Sequence, residues 1–254
     1  MNLSSCIFVL DFCCVVAYGG SIYTCSEVKI VIVHCDGPVP TSILVSTNIC
    51  FNTCSIVVGV HDEGSLFRAL YGIFFWDVIY CDAVPNVFRS KFQAAPLDLA
   101  CSSFFTSREA VIKSKLKAIS ESAIEALLDL AKVTWDSHKD KYTALINWDR
   151  FRSFEHLAGF VSCFSPKQLE RLMERYAMDY GAVRSGFPDL TVWNPESRKL
   201  KVVEVKGPND RLSHKQQIWL DFLMDIGVDV EVCHVVATGA KKLKRSLSAN
   251  STEE

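Results

Sequence analysis

The chain has 254 residues, with 27 Lys and Arg against 29 Asp and Glu, for a formal net charge of −2. That length allows one large domain or two small ones. No apolar run of 18 or more residues is free of charge, which argues against a spanning helix. The near-neutral balance means that a polyanion would have to be met by a local basic surface.

Charge and cysteine are unevenly spread. Residues 1–60 carry only Asp11, Glu27, Lys29 and Asp36, yet hold seven of the eleven cysteines (Cys6, Cys13, Cys14, Cys25, Cys35, Cys50, Cys54). The apolar stretch 6–18 is too short, contains Asp11 and lacks the basic start of a signal peptide. Short β-prone runs at 28–33, 42–45 and 50–60 carry cysteines at no metal-ligand spacing. A disulfide framework is one reading of such a segment, but the later cysteines sit in apolar or helical contexts typical of buried thiols. Residues 1–60 are therefore read as a divergent or mispredicted start, foreign to the body that begins near residue 61.

From residue 61 the patterning is regular. Residues 63–80 place Leu66, Phe67, Leu70, Ile73, Phe74 and Val78 at helical spacing, with aromatics around much of the cylinder, which predicts a largely buried helix. Thr106 with Glu109 reads as a capping box opening a helix to about 119. Another helix is predicted over 122–135. Ser165, Pro166 and Gln168 combine an N-cap, a first-turn proline and a capping-box partner for a helix to about 180. The period then shortens. Residues 190–193 and 200–205 read as two strands around the turn 194–197. Gly207-Pro208-Asn209-Asp210 ends the second, Ser213 caps a helix that stops at Gly227, and 228–236 form a last strand. The tail 239–254, with Lys241, Lys242, Lys244 and Arg245, reads as disordered.

The chemistry concentrates in Pro188-Asp189 and, after fourteen intervening residues, Glu204-Val205-Lys206. Strand alternation puts Glu204 and Lys206 on one face, and folding the hairpin can bring Asp189 beside Glu204. Two adjacent carboxylates repel unless a cation lies between them. Oxygen ligands select hard ions, so Mg²⁺ or Mn²⁺ is expected, with the Val205 carbonyl as a further oxygen. Lys206 would then orient a water and offset charge on a phosphate. The plain alternative is a surface hairpin with a Glu204–Lys206 ion pair. The five tryptophans and His234 are read as core residues and His61 as a surface residue.

The runs Ser185-Gly186-Phe187-Pro188-Asp189-Leu190-Thr191-Val192-Trp193-Asn194 and Val203-Glu204-Val205-Lys206-Gly207-Pro208-Asn209-Asp210-Arg211-Leu212-Ser213-His214-Lys215-Gln216 resemble the virus-type replication-repair nuclease domain of the PD-(D/E)XK superfamily, in its Fanconi-associated branch. Glu63-Gly64-Ser65, Trp76-Asp77-Val78, Gln93-Ala94-Ala95-Pro96-Leu97-Asp98-Leu99 and Trp148-Asp149-Arg150-Phe151 fit the same family over residues 60–240.

The resemblance implies an α/β fold: a restriction-endonuclease-like mixed sheet flanked by helices, with a mostly helical insertion over about 100–180 before the metal-binding hairpin. Helix 62–80 is expected on one face and helix 213–226 on the other. It also implies a nuclear, structure-selective DNA nuclease of interstrand crosslink repair that cuts 5′ flaps and trims from 5′ ends. One or two Mn²⁺ or Mg²⁺ ions would be held by Glu63, Asp189, Glu204 and Val205, with Lys206 catalytic and Gln93 supporting the site. Asp210 and Gln216 fall in the supporting segment. Arg184, Arg211, His214 and Lys215 are candidate phosphate contacts. Flapped DNA and Fanconi-pathway proteins are the partners implied, with no membrane. The family's ubiquitin-binding finger, DNA-binding region and helical repeats have no match in residues 1–60. A fragment that binds branched DNA without cutting it, and a junction-cutting nuclease sharing only the fold, are the alternatives.

Overall fold

The computed structural model describes residues 58–207 and 209–234, together with the backbone of three strands near the start of the chain: β1 (Cys6–Tyr18), β2 (Ser21–His34) and β3 (Ser42–Ile43). β1 and β2 pair antiparallel. The predicted tail and residues 235–236 of the predicted last strand lie outside the described residues.

The body is organised on a mixed sheet in the order β3-β4-β5-β6-β7. β4 (Val58–His61) and β5 (Leu190–Asn194) pair antiparallel, as do β5 and β6 (Lys199–Lys206), while β7 (Asp229–His234) runs parallel to β6. β5 and β6 are the predicted hairpin, joined by a turn in which the Asn194 side chain accepts the N–H groups of Glu196 and Ser197. The parallel β7 requires a crossover, and α8 (His214–Asp225) supplies it.

Between β4 and β5 runs the expected helical insertion. α1 (Ser65–Phe74) and α2 (Trp76–Ile79) replace the single predicted helix, broken at Phe75. α1 buries eight of its ten residues, as an almost wholly apolar cylinder should. α3 (Ser103–Glu121), α4 (Ile124–His138), α5 (Phe154–Val161), α6 (Pro166–Met178) and α7 (Tyr180–Val183) follow. The Ser165 and Ser213 capping boxes both form. The one predicted at Thr106 does not. α3 starts at Ser103, so Thr106 lies inside the first turn and its hydroxyl back-bonds to the Ser103 carbonyl at 3.3 Å.

The helices feed one aromatic core. Phe67 of α1 packs on Phe187, Phe187 on Trp219 of α8, and Trp219 on Tyr176 of α6. Trp193, Leu200 and Val202 enter the same core from the sheet. α1 and α8 therefore share one side of the sheet, contrary to the opposite-side expectation. Apolar periodicity tells which stripe of a helix is buried and not which sheet face receives it. Trp135, Trp148, Trp193 and Trp219 are buried as expected. His234 is exposed, since it closes β7 at the sheet's end, and Cys101 is exposed while Cys163 and Cys233 are buried.

Candidate metal centre and active site

Asp189 precedes β5, and the register that pairs Leu190 with Val203 sets it opposite Glu204. Its Oδ2 accepts the Val205 N–H at 2.8 Å. Its backbone carbonyl accepts the N–H groups of Asp62 at 2.9 Å and Glu63 at 3.4 Å. One residue thus ties the hairpin to the corner between β4 and α1.

That corner has an unusual backbone. Glu63 and Gly64 are consecutive left-handed residues, with φ of 47° and 79°. Glycine accepts this conformation freely, and a Cβ at position 64 would meet Phe187 at 2.7 Å. For Glu63 the same region costs on the order of 1–3 kcal/mol. The outcome is an exposed Glu63 carboxylate close to its partners: one ligand atom each from His61, Glu63 and Asp189 lies within 4.8 Å of the others. Glu63 was expected in the first turn of the helix, but the helix begins two residues later, at Ser65. His61 is exposed, as expected, and also belongs to this group of potential ligands.

Glu204 is fully buried. Its Oε1 accepts Lys206 Nζ at 2.7 Å and Gln216 Nε2 at 2.5 Å. Its Oε2 is buried with no hydrogen-bond partner. Burial holds the Glu204 carboxyl above the usual carboxylate range; the Lys206 hydrogen bond pulls it down and the Asp189 charge pushes it up. A buried carboxylate oxygen without a partner is costly, and beside a second carboxylate it is the kind of atom a divalent ion satisfies. Among the described residues the ligand atoms grouped closely enough for one ion are those of His61, Glu63 and Asp189, and Glu204 is not in that group. The carboxylate oxygens of Glu63 and Asp189 suit a hard cation such as Mg²⁺ or Mn²⁺.

The Lys206 ammonium stays on the same strand face as Glu204 and also donates to Gln216 Oε1 at 3.2 Å. That same oxygen accepts the Ser213 N–H, closing the α8 capping box. Gln216 therefore begins a helix and braces both charged groups. After Lys206, Gly207 and Asp210 form a reciprocal pair: the Gly207 N–H donates to Asp210 Oδ2 at 3.0 Å, and the Asp210 N–H donates to the Gly207 carbonyl at 3.1 Å.

Arg184, Arg211, His214 and Lys215 are all exposed. Lys215 Nζ donates to Ser185 Oγ at 3.0 Å, and Gly186, with φ of 82°, lies so close beneath it that a Cβ there would meet Lys215 Cβ at 2.5 Å. Gln93 is placed elsewhere. Its amide nitrogen donates to the carbonyls of Val87 and Ala95, both at 2.6 Å, and its oxygen accepts the Arg89 N–H. These bonds stay within the loop 87–95 and do not reach the acidic residues.

Three residues at the site carried no signal in the sequence reading. Asp62 is buried, and both its carboxylate oxygens accept the Leu66 N–H, at 3.0 and 2.8 Å. Burial pushes its carboxyl up to about 6, against the Leu66 hydrogen bond and the charges of Arg150 and Arg68. Arg68 donates to the carbonyls of Glu63 at 3.0 Å and Arg184 at 3.3 Å, and Arg150 donates to that of His61 at 3.2 Å. An Asp four residues before the first buried leucine of α1 was the available cue.

Residues 125–237 match the VRR-NUC domain family model. The chain is 48% identical over 183 residues to Fanconi-associated nuclease 1 of Homo sapiens, a match covering 72% of this chain and 18% of the relative. For the Danio rerio protein the identity is 45% over 195 residues, covering 77% and 20%. For the Caenorhabditis elegans homolog it is 37% over 188 residues, covering 73% and 22%. The chain thus spans about a fifth of the length of these relatives. Among solved structures, paFAN1 bound to 2nt 5′ flap DNA with gap superposes with a TM-score of 0.64 at 26% identity, over 73% of this chain and 35% of that one. Residues 125–237 thus resemble the VRR-NUC domain, and about three-quarters of the chain is similar to the Fanconi-associated nucleases.

Proposed function

We propose that the chain is a divalent-metal-dependent, structure-selective DNA nuclease that hydrolyses phosphodiester bonds as a 5′ flap endonuclease and 5′-to-3′ exonuclease. It would act in the nucleus on branched DNA during interstrand crosslink repair, alongside Fanconi-pathway proteins. The observation that carries the reading is the buried Glu204: its Oε2 has no hydrogen-bond partner, its Oε1 is held by Lys206, and Asp189 stands opposite.

Glu63, Asp189, Glu204 and the Val205 carbonyl would hold one or two Mg²⁺ or Mn²⁺ ions, with His61 adjacent. When bound, such an ion supplies Lewis acidity at the phosphate and favours deprotonation of a nearby water. Glu204 fixes the Lys206 ammonium at 2.7 Å, where it can donate to the attacking water or to a phosphate oxygen as charge develops. Gln216 holds the same ammonium from the helix side, so it does not swing out to solvent. Arg184, Arg211, His214 and Lys215 form an exposed set around the hairpin and the α8 start, suited to phosphates. The relative solved with 5′ flap DNA supports the substrate class.

The test is cleavage of a labelled 5′ flap by the purified chain in Mn²⁺ and in EDTA, alongside binding measured by anisotropy. Cleavage in Mn²⁺ alone supports the reading. Binding without cleavage in either condition would leave a branched-DNA-binding fragment instead. Lys206→Ala should bind metal nearly normally while losing about 10²–10³-fold in rate.

A further inference from the structure

We infer that Asp62 is a positioning residue for the metal centre, acting through Glu63; this rests on the metal-centre reading above. The problem it solves is local. Glu63 must hold a left-handed backbone to bring its carboxylate toward Asp189 and His61, and an isolated glutamate would relax out of that region. Asp62, the residue before Glu63, is held at every polar group it owns. Its N–H donates to the Asp189 carbonyl at 2.9 Å and its carbonyl accepts the Ser65 N–H at 3.0 Å. Its two carboxylate oxygens accept the Leu66 N–H in the first turn of α1.

The corner 61–64 is therefore clamped from both sides. The Asp189 carbonyl fixes one end and the buried start of α1 the other, with Asp62 as the shared member. Arg68 and Arg150 take the carbonyls of Glu63 and His61 from outside. The Asp62 carboxylate is buried on the Leu66 N–H and is not among the grouped ligand atoms of His61, Glu63 and Asp189, so its part is to hold the turn and not to ligate. A backbone that loses this clamp releases Glu63 to ordinary conformations, and the ligand set loses one exposed carboxylate.

An ordinary helix cap would affect only folding, so the test reads Mn²⁺ affinity of the folded full chain by electron paramagnetic resonance, with thermal melting recorded in parallel. Asp62→Ala, Glu63→Gln and the double variant form a cycle. The expected result is a roughly 10–100-fold weaker Mn²⁺ affinity for Asp62→Ala, the scale of lost outer-shell support, and less than about a twofold further loss when Glu63→Gln is already present. Asp62→Ala that binds Mn²⁺ as the parent does, or that loses the same factor in both backgrounds, overturns the inference. If Asp62→Ala does not fold, Asp62→Asn is read in the same cycle by the same two criteria. Asp189→Asn is the control. If it too leaves Mn²⁺ binding intact, the metal-centre reading has failed; if it abolishes binding while the Asp62 variants bind normally, only the positioning role has failed.

Discussion

Two buried ion pairs in this molecule are built to different standards. In the helical insertion, Arg108 sits 2.7 Å from Asp98, and its two terminal nitrogens also reach the Phe104 carbonyl and the Ser107 hydroxyl. Of these, Nη1 makes the Phe104 and Ser107 bonds and Nη2 donates to Asp98 Oδ1, and the guanidinium lies over the Phe104 ring, 4.3 Å from the centroid. At the hairpin, Glu204 is equally buried. Among the described residues each pair leaves one buried atom without a hydrogen-bond partner, Arg108 Nε in the first and Glu204 Oε2 in the second, but only the second stands opposite another carboxylate, that of Asp189. The first pair is organised to hold α3 to the loop before it. The second holds the Lys206 ammonium on the strand face that Glu204 shares. The contrast teaches that neither burial nor one bare buried atom marks a functional charge by itself; a bare carboxylate oxygen set opposite a second carboxylate is the more telling sign.

The sharpest way to break this contrast is at the hairpin. Asp189→Asn and Glu204→Gln should each lower flap cleavage by roughly three orders of magnitude or more, since each removes a proposed ligand beside the reacting phosphate. Residual cleavage near the parental rate in a gel assay would show the hairpin pair to be as structural as the other. At the helical pair the loss should fall on stability. Arg108→Ala leaves Asp98 without its partner and should cost about 3–5 kcal/mol in urea unfolding.

A smaller effect concerns Asp62. Its carboxyl titrates at about 6 in the folded chain, above the ordinary value of 3.8. The folded state therefore holds this proton more tightly than the unfolded state. The stability this contributes is full below about pH 4 and is lost as pH rises toward 6, by about 3 kcal/mol at 1.36 kcal/mol per pKa unit. Urea midpoints in EDTA across that range should show the decline, and Asp62→Asn should flatten it. The smallest effect is at the exposed cations. Lys215→Ala or Arg184→Ala should weaken DNA binding about equally across sequences and reduce the salt slope by roughly one.

Local chemistry in this chain was readable where a few neighbouring residues decide the outcome. Ser165 with Gln168 and Ser213 with Gln216 announce helix starts, and both boxes form. Alternation along 200–206 put Glu204 and Lys206 on one face, and they meet. Thr106 with Glu109 had the same signature and failed, because the helix had already begun at Ser103. α5 was overlooked because its eight residues are too few to show a period against the surrounding aromatics. The shared side of α1 and α8 depends on Phe187 bridging Phe67 and Trp219, a contact between segments far apart in the chain. Asp62 was missed for a related reason. Its importance comes from the left-handed corner after it and from the Asp189 carbonyl, which lies more than a hundred residues away.

The Ser213 box carries one more implication. Glutamate and glutamine serve such boxes interchangeably at the start of an ordinary helix. Here the side-chain amide must also donate a hydrogen bond to Glu204 while its oxygen accepts one from Lys206. A glutamate at position 216 would begin the helix just as well and set like charge against like in the interior. A Gln216→Glu change that most capped helices would tolerate would therefore disturb the Glu204–Lys206 pair, so the start of α8 and the charges on β6 share one side chain.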